Sequence, residues 1–272
     1  MPNPLKASTL LAGAGAGVQF SVGLSRVGVV FALIFAHSAS GVVPLVTDDA
    51  DTVELKKIQL SAGAFLDKTA GEQNYLIPVN LVMGVSARGE VGATFGYQWR
   101  DGAGTAPDKA NASGSTDLLL ASKWQLWRTS DAAFKLSTRV DLKLPAASRS
   151  RGFGTGDVDG GLVLIATRSW GTTALDWNIG YLANDLSSGA TEDDRWFFGQ
   201  AVRQKLDEHW TIIGEIFAVV PHTGQGGSAN FHFSGGAQFT VHENLLISAL
   251  IGSAAGHDSP DLTGYLGFTV VY

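Results

Sequence analysis

The sequence contains no cysteine, only 16% charged residues and, beyond residue 40, no long apolar run. The absence of cysteine excludes disulfide bonds and thiolate metal sites. The charged fraction lies below the roughly 25% that is usual in soluble domains. No stretch after residue 40 offers the ~18 apolar residues of a membrane helix. A transmembrane β-barrel meets both conditions, because half of its side chains face lipid and the other half face a polar lumen.

The chain has 272 residues and a formal net charge of −6. It contains no basic cluster interleaved with aromatic residues, so nucleic acid is excluded as a partner. Three carboxylates, Asp48, Asp49 and Asp51, lack the glycine-centred spacing of a calcium loop. We interpret them as a solvated acidic stretch before the first strand, and we predict no metal ion and no cofactor.

The first 40 residues have the features of a signal peptide. Lys6 and Arg26 are their only charges, an apolar run follows at 27–36, and small residues follow at 36–40. The ten apolar residues of that run are too few to span a membrane comfortably, which disfavours a membrane anchor. We therefore predict a signal peptide over 1–40 and a single barrel domain over 41–272.

Alternation of apolar and polar residues dominates the chain from residue 52 onward. Val91, Phe95 and Trp99 share one face of a strand, while Thr94 and Gln98 lie on the other. The polar faces are rich in Gly, Ser, Thr and Asn rather than in the Lys and Glu of a solvated sheet. The fold class predicted is all-β, a transmembrane antiparallel up-and-down β-barrel of about 12 strands, with the first strand over 52–66 and the last over 261–272.

The connections between the predicted strands alternate between short and long, which is typical of outer-membrane barrels. Short ones include 170–172 and long ones include the Gly- and Ser-rich stretch 145–156, which we interpret as an exposed loop tip around 152–156. This asymmetry predicts the outer membrane of a Gram-negative bacterium, with both termini periplasmic and membrane lipids around the barrel. Several tryptophans lie near strand ends, as in an interfacial girdle, and Trp127 is a candidate for a binding aromatic in the lumen.

The chain ends in an alternating strand whose last residue is aromatic. Phe268, Val270 and Tyr272 share the predicted lipid face, and an amphipathic ring is favoured at a membrane interface. The pattern resembles the signal by which barrels are passed to the outer-membrane assembly machinery. We therefore predict these three residues as an assembly signal and that machinery as a partner.

If the apolar faces meet lipid, a set of charged side chains points into the lumen. Basic residues outnumber acidic ones, which favours anions if the residues line an open pore, whereas ion pairs across the wall would brace or plug the barrel. Glu215 stands between apolar neighbours and needs a cationic partner, for which Arg203 and Lys205 on the preceding strand are candidates. The predicted lumen-lining residues, with a proposed role in selectivity, are Lys57, Arg100, Lys123, Lys135, Arg139, Asp141, Lys143, Asp159, Asp176, Arg195, Arg203, Lys205, Glu215 and His232.

His232 and Ser234 share a strand face, as a base and a nucleophile must. The pair resembles the pattern of an outer-membrane phospholipase. However, the pair alternates with Phe231 and Phe233, which points it into the lumen, whereas a lipid-hydrolysing pair should face the membrane. We therefore predict no catalytic residues.

Short motifs in a fixed order carry a family resemblance. They include Pro44–Ala50 (PLVTDDA), Leu142–Pro145 (LKLP) and Arg151–Gly156 (RGFGTG). Over about residues 44–272 the chain resembles the outer-membrane barrel family of MetA-pathway of phenol degradation proteins. The resemblance implies a small outer-membrane channel or transporter, often associated with uptake of aromatic or other hydrophobic compounds, with no catalytic residues to transfer.

The predicted function is passive, porin-like passage of a small-molecule solute, without enzymatic activity. The alternatives are an outer-membrane hydrolase on the same scaffold, a barrel with a plugged lumen that serves a structural role, and a soluble periplasmic β-sandwich. A packed common centre of the apolar faces would support the sandwich, and an aqueous interior lined by the polar faces would support a barrel.

Overall fold

The computed structural model of the protein describes residues 45–69, 71–102, 111–184, 186, 194–222, 229–256 and 259–272. The predicted signal peptide lies outside the described residues. No helix in these ranges is long and apolar enough to cross a membrane. The strands are β1 (Ile58–Thr69), β2 (Glu72–Ser86), β3 (Gly89–Gly102), β4 (Ser113–Ser115), β5 (Leu118–Arg128), β6 (Phe134–Leu144), β7 (Asp159–Trp170), β8 (Thr173–Ala183), β9 (Arg195–Lys205), β10 (Trp210–Pro221), β11 (Asn230–His242), β12 (Leu245–Ala255) and β13 (Leu262–Val271).

The strands close into an antiparallel barrel. From β5 onward each strand pairs with the next one in sequence, and β13 pairs with β1 over ten residues. The short β4 and the longer β5 both pair with β3 along its length, so they act as two pieces of one strand. The predicted barrel of about twelve strands is therefore confirmed. Closure satisfies the edge groups of β1 and β13, which an open sheet would leave unpaired in lipid.

The faces of the strands follow the predicted alternation. On β3, Phe95 is 53% exposed on the outside, whereas Thr94 and Gln98 are buried on the inside. Phe233 on β11 is likewise exposed while its neighbour His232 is buried. The outer surface therefore carries the apolar belt that a membrane barrel needs. Trp127 belongs to this outer surface, with 51% exposure, so its predicted place in the lumen is wrong.

The two ends of the barrel differ in their connections. At the short-turn end, two to five residues join successive strands, as at 171–172 and 129–133. One of these turns is fixed by Asp207, whose carboxylate accepts backbone N–H bonds from Trp210 and His209 at 2.7 and 2.8 Å. These two bonds lower the pKa of Asp207 below its usual value. The long-loop end carries longer connections such as 145–158, except that only two residues join β1 to β2.

The first strand begins later than predicted, at Ile58 rather than at residue 52. Residues 45–57, the inner segment, leave the wall: 45–50 are all buried inside the barrel, and 54–57 are exposed at its end. A turn separates this segment from β1: Lys57 N–H donates to Glu54 O at 2.9 Å, and Lys56 has a φ of 68°. Sequence alternation extends across this turn, so periodicity alone could not separate the inner segment from the strand that follows it.

Candidate functional site: the lumen and its inner segment

The inner segment crosses the lumen from one side of the barrel to the other. At its start, Leu45 packs with Phe65 of β1 and Tyr265 of β13. In its middle, Ala50 packs against Val163 and Ile165 of β7. Val53 then contacts Val82 of β2, shortly before the turn into β1. The axial path through the barrel is therefore filled at this level by the chain's own backbone and side chains.

Side chains of the wall satisfy the backbone of the inner segment. Asp48 and Asn178 exchange two hydrogen bonds of 2.8 Å each, one from the Asp48 N–H and one from the Asn178 amide to the Asp48 carbonyl. Ala50 N–H donates to Thr167 at 2.9 Å, and its carbonyl accepts from Ser137 at 2.6 Å. A buried backbone needs such partners, because each unpaired polar group is costly. The contacts replace the ladder that a wall strand would form.

Asp48 is the centre of a buried charge cluster. Its carboxylate lies 3.0 Å from Lys123 Nζ and 2.9 Å from Arg139 Nη1. Arg139 also contacts Asp141 at 3.0 Å, and Glu90 lies 3.6 Å from Lys123. All five side chains are almost fully buried. The prediction of a solvated acidic stretch is therefore wrong, because the wall cations draw Asp48 into the lumen and neutralise it there.

The other two carboxylates of the inner segment also meet wall cations. Asp49 lies 3.4 Å from Arg203 Nη1, and Arg203 binds Asp176 at 2.8 Å. Asp51 binds Lys135 at 2.6 Å, in a position where its side chain is 48% exposed. The segment therefore has one deeply buried attachment at Asp48 and a more solvated one at Asp51.

Glu215 binds the inner segment rather than a cation of the preceding strand. Its carboxylate accepts a hydrogen bond from the Thr47 backbone N–H and one of 3.4 Å from Ser234 Oγ. Arg203, one of the two predicted partners, pairs with Asp176 instead. The other, Lys205, is exposed at the short-turn end. The predicted cationic pairing of Glu215 is therefore wrong, since a backbone amide occupies the carboxylate.

The predicted lumen residues occupy four places. Lys57 and Lys205 are exposed at the short-turn end, where Lys57 pairs with Glu54 at 2.8 Å. Arg195 lies half-buried at the start of β9. The deeply placed set around the inner segment is Lys123, Lys135, Arg139, Asp141, Asp176, Arg203, Glu215 and His232, and the set nearer the long-loop end is Arg100, Lys143 and Asp159.

The expected surplus of positive charge in the lumen is offset by carboxylates that the sequence did not place there. The inner segment adds the carboxylates of Asp48 and Asp49, and the wall adds Glu90, none of which the strand pattern assigned to the interior. The signal that could have found Asp48 and Asp49 is the TDDA motif of residues 47–50, which is acidic and lies next to a strand rich in small residues. The carboxylates of this motif offset the cationic side chains of the barrel wall.

The opposite side of the lumen is apolar. Phe197 and Phe217 lie with ring centroids 6.0 Å apart, and the His232 ring stacks on Phe217 at 4.3 Å with an interplanar angle of 4°. Val46 of the inner segment packs into this group with Val219. The aromatic side of the lumen is therefore formed around Phe197, Phe217 and His232 of β9–β11, whereas most of the paired charges come from β3 and β5–β9.

The loop 145–158 folds towards the barrel mouth. Phe153, within the predicted exposed tip, is only 6% exposed. Arg100 donates to the Gly152 carbonyl at 3.3 Å and its guanidinium lies 5.4 Å from the Phe153 ring centroid. Below it, Lys143 binds both Asp159 and Asp117. The residues 152–156 do lie in a loop, but Phe153 is anchored rather than solvated, because Arg100 lies over its ring and Gln98 donates to its backbone carbonyl at 3.3 Å.

His232 and Ser234 do not form a nucleophile and base pair. The Ser234 hydroxyl donates to Glu215, and the His232 ring lies against Phe217. Both residues belong to the interior of the barrel, away from lipid. Within the described ranges, no group of three or more His, Asp or Glu side chains is arranged to hold a metal ion.

Comparison with known proteins identifies the family of this chain and solved structures with a similar fold. A family model described as "Putative MetA-pathway of phenol degradation" matches residues 46–271. No curated protein matches the chain in sequence. The chain is similar to the solved COG4313 outer membrane channel from Pseudomonas putida F1, with 14% identity, a TM-score of 0.66 and coverage of 82% of this chain and 98% of that one.

Two porins share the fold as well. NanC porin is 7% identical, with a TM-score of 0.55 over 78% of this chain and 98% of that one. KdgM porin is 7% identical, with a TM-score of 0.53 over the same shares. At these identities the likeness shows the fold alone, which is one that outer membrane channels and porins use.

Proposed function

The chain belongs to the family of MetA-pathway of phenol degradation proteins, and on this premise we propose that it is an outer-membrane channel for the passive passage of small solutes. The inner segment closes the lumen, and its displacement opens it. No energy source, cofactor or catalytic group is needed for this function. The family membership agrees with the resemblance that the sequence motifs indicated.

The observation that carries the proposal is how the inner segment is attached. Over residues 45–53 its polar contacts to the wall are side-chain hydrogen bonds and ion pairs, such as those of Asp48 and Ala50. Backbone bonds to the wall are made at Lys56 and Lys57, next to β1. The segment can therefore leave the lumen without any break in the closed barrel. Water that enters the lumen would solvate the wall charges that the segment had paired.

The aromatic side of the lumen supports a small apolar or aromatic solute. Phe197, Phe217 and His232 form a continuous ring surface, and the charges opposite them are balanced. Such a surface favours flat, uncharged molecules. Their binding is stabilised by buried ring area and stacking, and no ion has to be desolvated. The pathway named by the family agrees with this class of solute.

An outer-membrane location is supported by three features of the chain. The outside of the barrel carries an apolar belt, the two ends differ in loop length, and β13 is followed by the exposed aromatic Tyr272. The similar solved structures are outer membrane channels and porins. Membrane lipids and the assembly machinery are the partners that we propose on this basis.

A reversible covalent lock of the inner segment tests the proposal. The wild-type chain has no cysteine, and a Cβ atom at Gly199 would lie 2.5 Å from Thr47 Oγ1. The double variant Thr47→Cys/Gly199→Cys is therefore suited to a disulfide between segment and wall. We expect single-channel conductance in planar bilayers to vanish on oxidation and to return on reduction.

The single variants Thr47→Cys and Gly199→Cys are the matched controls, and both should conduct under oxidising and reducing conditions alike. A cross-linked double variant that conducts like the reduced form would rule out displacement of the segment. Wild-type protein without any conductance would rule out the channel itself and favour the plugged structural barrel.

A further inference from the structure

The pocket that holds the Phe153 ring lies at the long-loop end of the barrel. We propose that this pocket is a binding site for an uncharged aromatic solute with a hydrogen-bond acceptor, an inference that rests on the proposed channel function. Phe153 fills the site in the structure, and the solute takes its place when the loop 145–158 moves outward. The site belongs to β3, β4 and this loop, so it is separate from the aromatic side of the lumen on β9–β11.

The inner face of β3 and β4 leaves room for a planar ring. Gly114 of β4 pairs with Gln98 of β3, and a Cβ atom at Gly114 would lie 2.9 Å from ring carbon Cδ2 of Phe153. The guanidinium carbon of Arg100 lies 5.4 Å from the centroid of the same ring. A cation at this distance is attracted to the face of an aromatic ring. The pocket therefore combines a wall without a side chain and a cation, which together select an aromatic ring over a saturated one.

Two hydrogen-bond donors of β3 also face the site. Gln98 Nε2 donates to the Phe153 carbonyl, and Arg100 Nη2 donates to the Gly152 carbonyl, each at 3.3 Å. These distances lie just beyond the usual range of N–H···O bonds, so the loop engages both donors weakly. When the loop moves outward, both donors become available to an oxygen atom attached to the ring of a solute.

Arg100 keeps its position without the loop. Its Nε atom lies 3.1 Å from a carboxylate oxygen of Glu72 and donates to Asn74 Oδ1 at 3.2 Å. Both partners belong to β2, which neighbours β3 in the wall. The cation is therefore positioned in advance, and its charge is already paired. A neutral ring gains the cation–π contact without bringing a second anion beside Glu72, which favours uncharged solutes.

The tip of the loop is attached more weakly than its two ends. At the start of the loop, the N–H groups of residues 146 and 147 donate to Asp117 Oδ1 at 3.0 and 2.8 Å. Near its end, Lys143 Nζ donates to the Thr155 hydroxyl. Between these anchors, the tip meets β3 through the two bonds of 3.3 Å and through the Phe153 ring. The ring is therefore the main attachment that a solute has to replace.

The tip also has hydrogen bonds of its own. Phe153 N–H donates to Ser148 O at 3.1 Å, and Gly152 N–H donates to Arg149 O at 3.0 Å. Both bonds stay within the loop, so the tip retains them when it moves. In an outer-membrane barrel the long loops face the outside. A solute that arrives from outside therefore meets this site before it reaches the deeper lumen.

Binding of 4-fluorobenzamide to the refolded protein in detergent tests the site, measured by fluorine NMR titration against protein-free micelles. Phe153→Ala vacates the pocket, and Phe153→Ala/Gly114→Leu refills it from the wall. Phe198→Ala is the matched control, because it removes a ring from the outer surface, where Phe198 is 44% exposed. A saturated analogue, 4-fluorocyclohexanecarboxamide, tests the need for an aromatic ring. Heat-modifiable migration on gels checks that each variant is folded.

We expect Phe153→Ala to bind 4-fluorobenzamide roughly ten-fold more tightly than the wild-type protein, because the loop no longer occupies the site for most of the time. The refilled variant should lose this gain, Phe198→Ala should match the wild type, and the saturated analogue should show no gain. The site would be overturned by equal affinities of Phe153→Ala and the wild type, or by a refilled variant that binds as tightly as Phe153→Ala.

A second variant keeps the test decisive if Gly114→Leu prevents folding. Phe153→Ala/Gln98→Met retains the space for a ring but lacks the amide donor. We expect it to bind 4-fluorobenzamide roughly five-fold more weakly than Phe153→Ala does, and to bind fluorobenzene equally well. If both variants bind 4-fluorobenzamide with the same affinity, Gln98 is not a donor to the solute and the proposed site is wrong.

The binding experiment and the conductance experiment fail independently. Binding requires no transport, so failure of the titration would overturn this site and leave a conducting wild-type channel unaffected. Wild-type protein that binds the probe as expected but shows no conductance would instead overturn the channel proposal.

Discussion

At the scale of single residues, the two cations that bind Asp48 lie in surroundings without solvent access. Asp48→Asn would leave Lys123 and Arg139 beside a neutral amide while the inner segment is in place. Loss of one partner of such buried pairs costs about 3 kcal/mol. We expect this free-energy cost only while the inner segment is in the lumen, since the wall charges are hydrated once the segment leaves. The open probability in single-channel recordings should rise roughly 100-fold.

Asp51→Asn is the matched control for this substitution. Its carboxylate also pairs with a lysine, Lys135, but is half exposed to solvent. Exposed pairs contribute about 0–1 kcal/mol, so we expect no more than a few-fold change in open probability. Equal effects of the two substitutions would mean that Asp48 is not a principal attachment of the segment.

Ser234 permits a separate check on catalysis. Its hydroxyl donates to Glu215 rather than to His232, so the proximity that a nucleophile and its base need is absent from this pair. We expect the purified protein to release no fatty acid from phospholipid micelles. Release that disappears in Ser234→Ala would support the outer-membrane hydrolase instead.

The direction of single side chains was predictable from sequence, but their partners were not. Alternation placed Arg139 and Asp176 inside because a strand has only two faces. The pairing of Lys123 with Asp48 joins residues 75 positions apart, and no local rule gives the path of the chain between them. For the same reason the sequence suggests a partner for Glu215 on the preceding strand, although its partner is the backbone of Thr47.

At the scale of elements, the inner segment and β1 have similar residue types, but the segment lies in the lumen and β1 forms part of the wall. Val53 and the residues after it suit a strand, so sequence alternation places the start of β1 at residue 52 rather than at Ile58. What separates the segment from the wall is the turn at 54–57 and the availability of side-chain partners across the lumen. Such partners exist only once the other strands have closed, which is why a local pattern cannot reveal them.

Removal of residues 45–53 should leave the barrel folded, because β1 and its ladder with β13 begin at Ile58. We expect a steady conductance with weak preference between chloride and potassium. Arg139 keeps Asp141, Lys123 keeps Glu90 and Arg203 keeps Asp176, so the open wall has little unpaired charge. Reversal potentials in a salt gradient measure this, and a strong anion preference would contradict it.

At the scale of the whole molecule, closure of the barrel extends to the last residue. Tyr272 N–H donates to Ile58 O at 2.9 Å and Ile58 N–H donates to Tyr272 O at 3.1 Å, while the Tyr272 side chain is 72% exposed. Tyr272→Ala removes the exposed ring and keeps both backbone bonds. The substitution therefore separates a recognition signal from a structural contact.

We expect Tyr272→Ala to lower the amount of assembled barrel in cells, while the purified variant refolds in detergent as well as the wild-type protein. Heat-modifiable migration on gels measures the folded fraction in both settings. A variant that also fails to refold in detergent would assign Tyr272 a structural role. Leu262→Ala, on the same strand and face but away from the terminus, is the control.

The architecture as a whole could be predicted because every strand crosses the same thickness of membrane. That constraint sets a common length and a common alternation, both of which are local properties of sequence. The contents of the lumen have no such constraint. Phe153 and Asp48 were both predicted to be solvated, since a loop and a leading segment are normally surface features, and both are buried inside a cylinder that they help to fill.

The inner segment is covalently continuous with β1, so its departure and its return are intramolecular. The thirteen residues 45–57, fully extended, reach at most about 45 Å. The displaced segment therefore stays near the short-turn end of the barrel, where β1 begins. A short covalent tether gives the segment an effective concentration at the lumen in the millimolar range. Each pore should therefore reseal by itself, at a rate independent of protein density, and an added peptide copy of residues 45–57 should compete only at comparable concentrations.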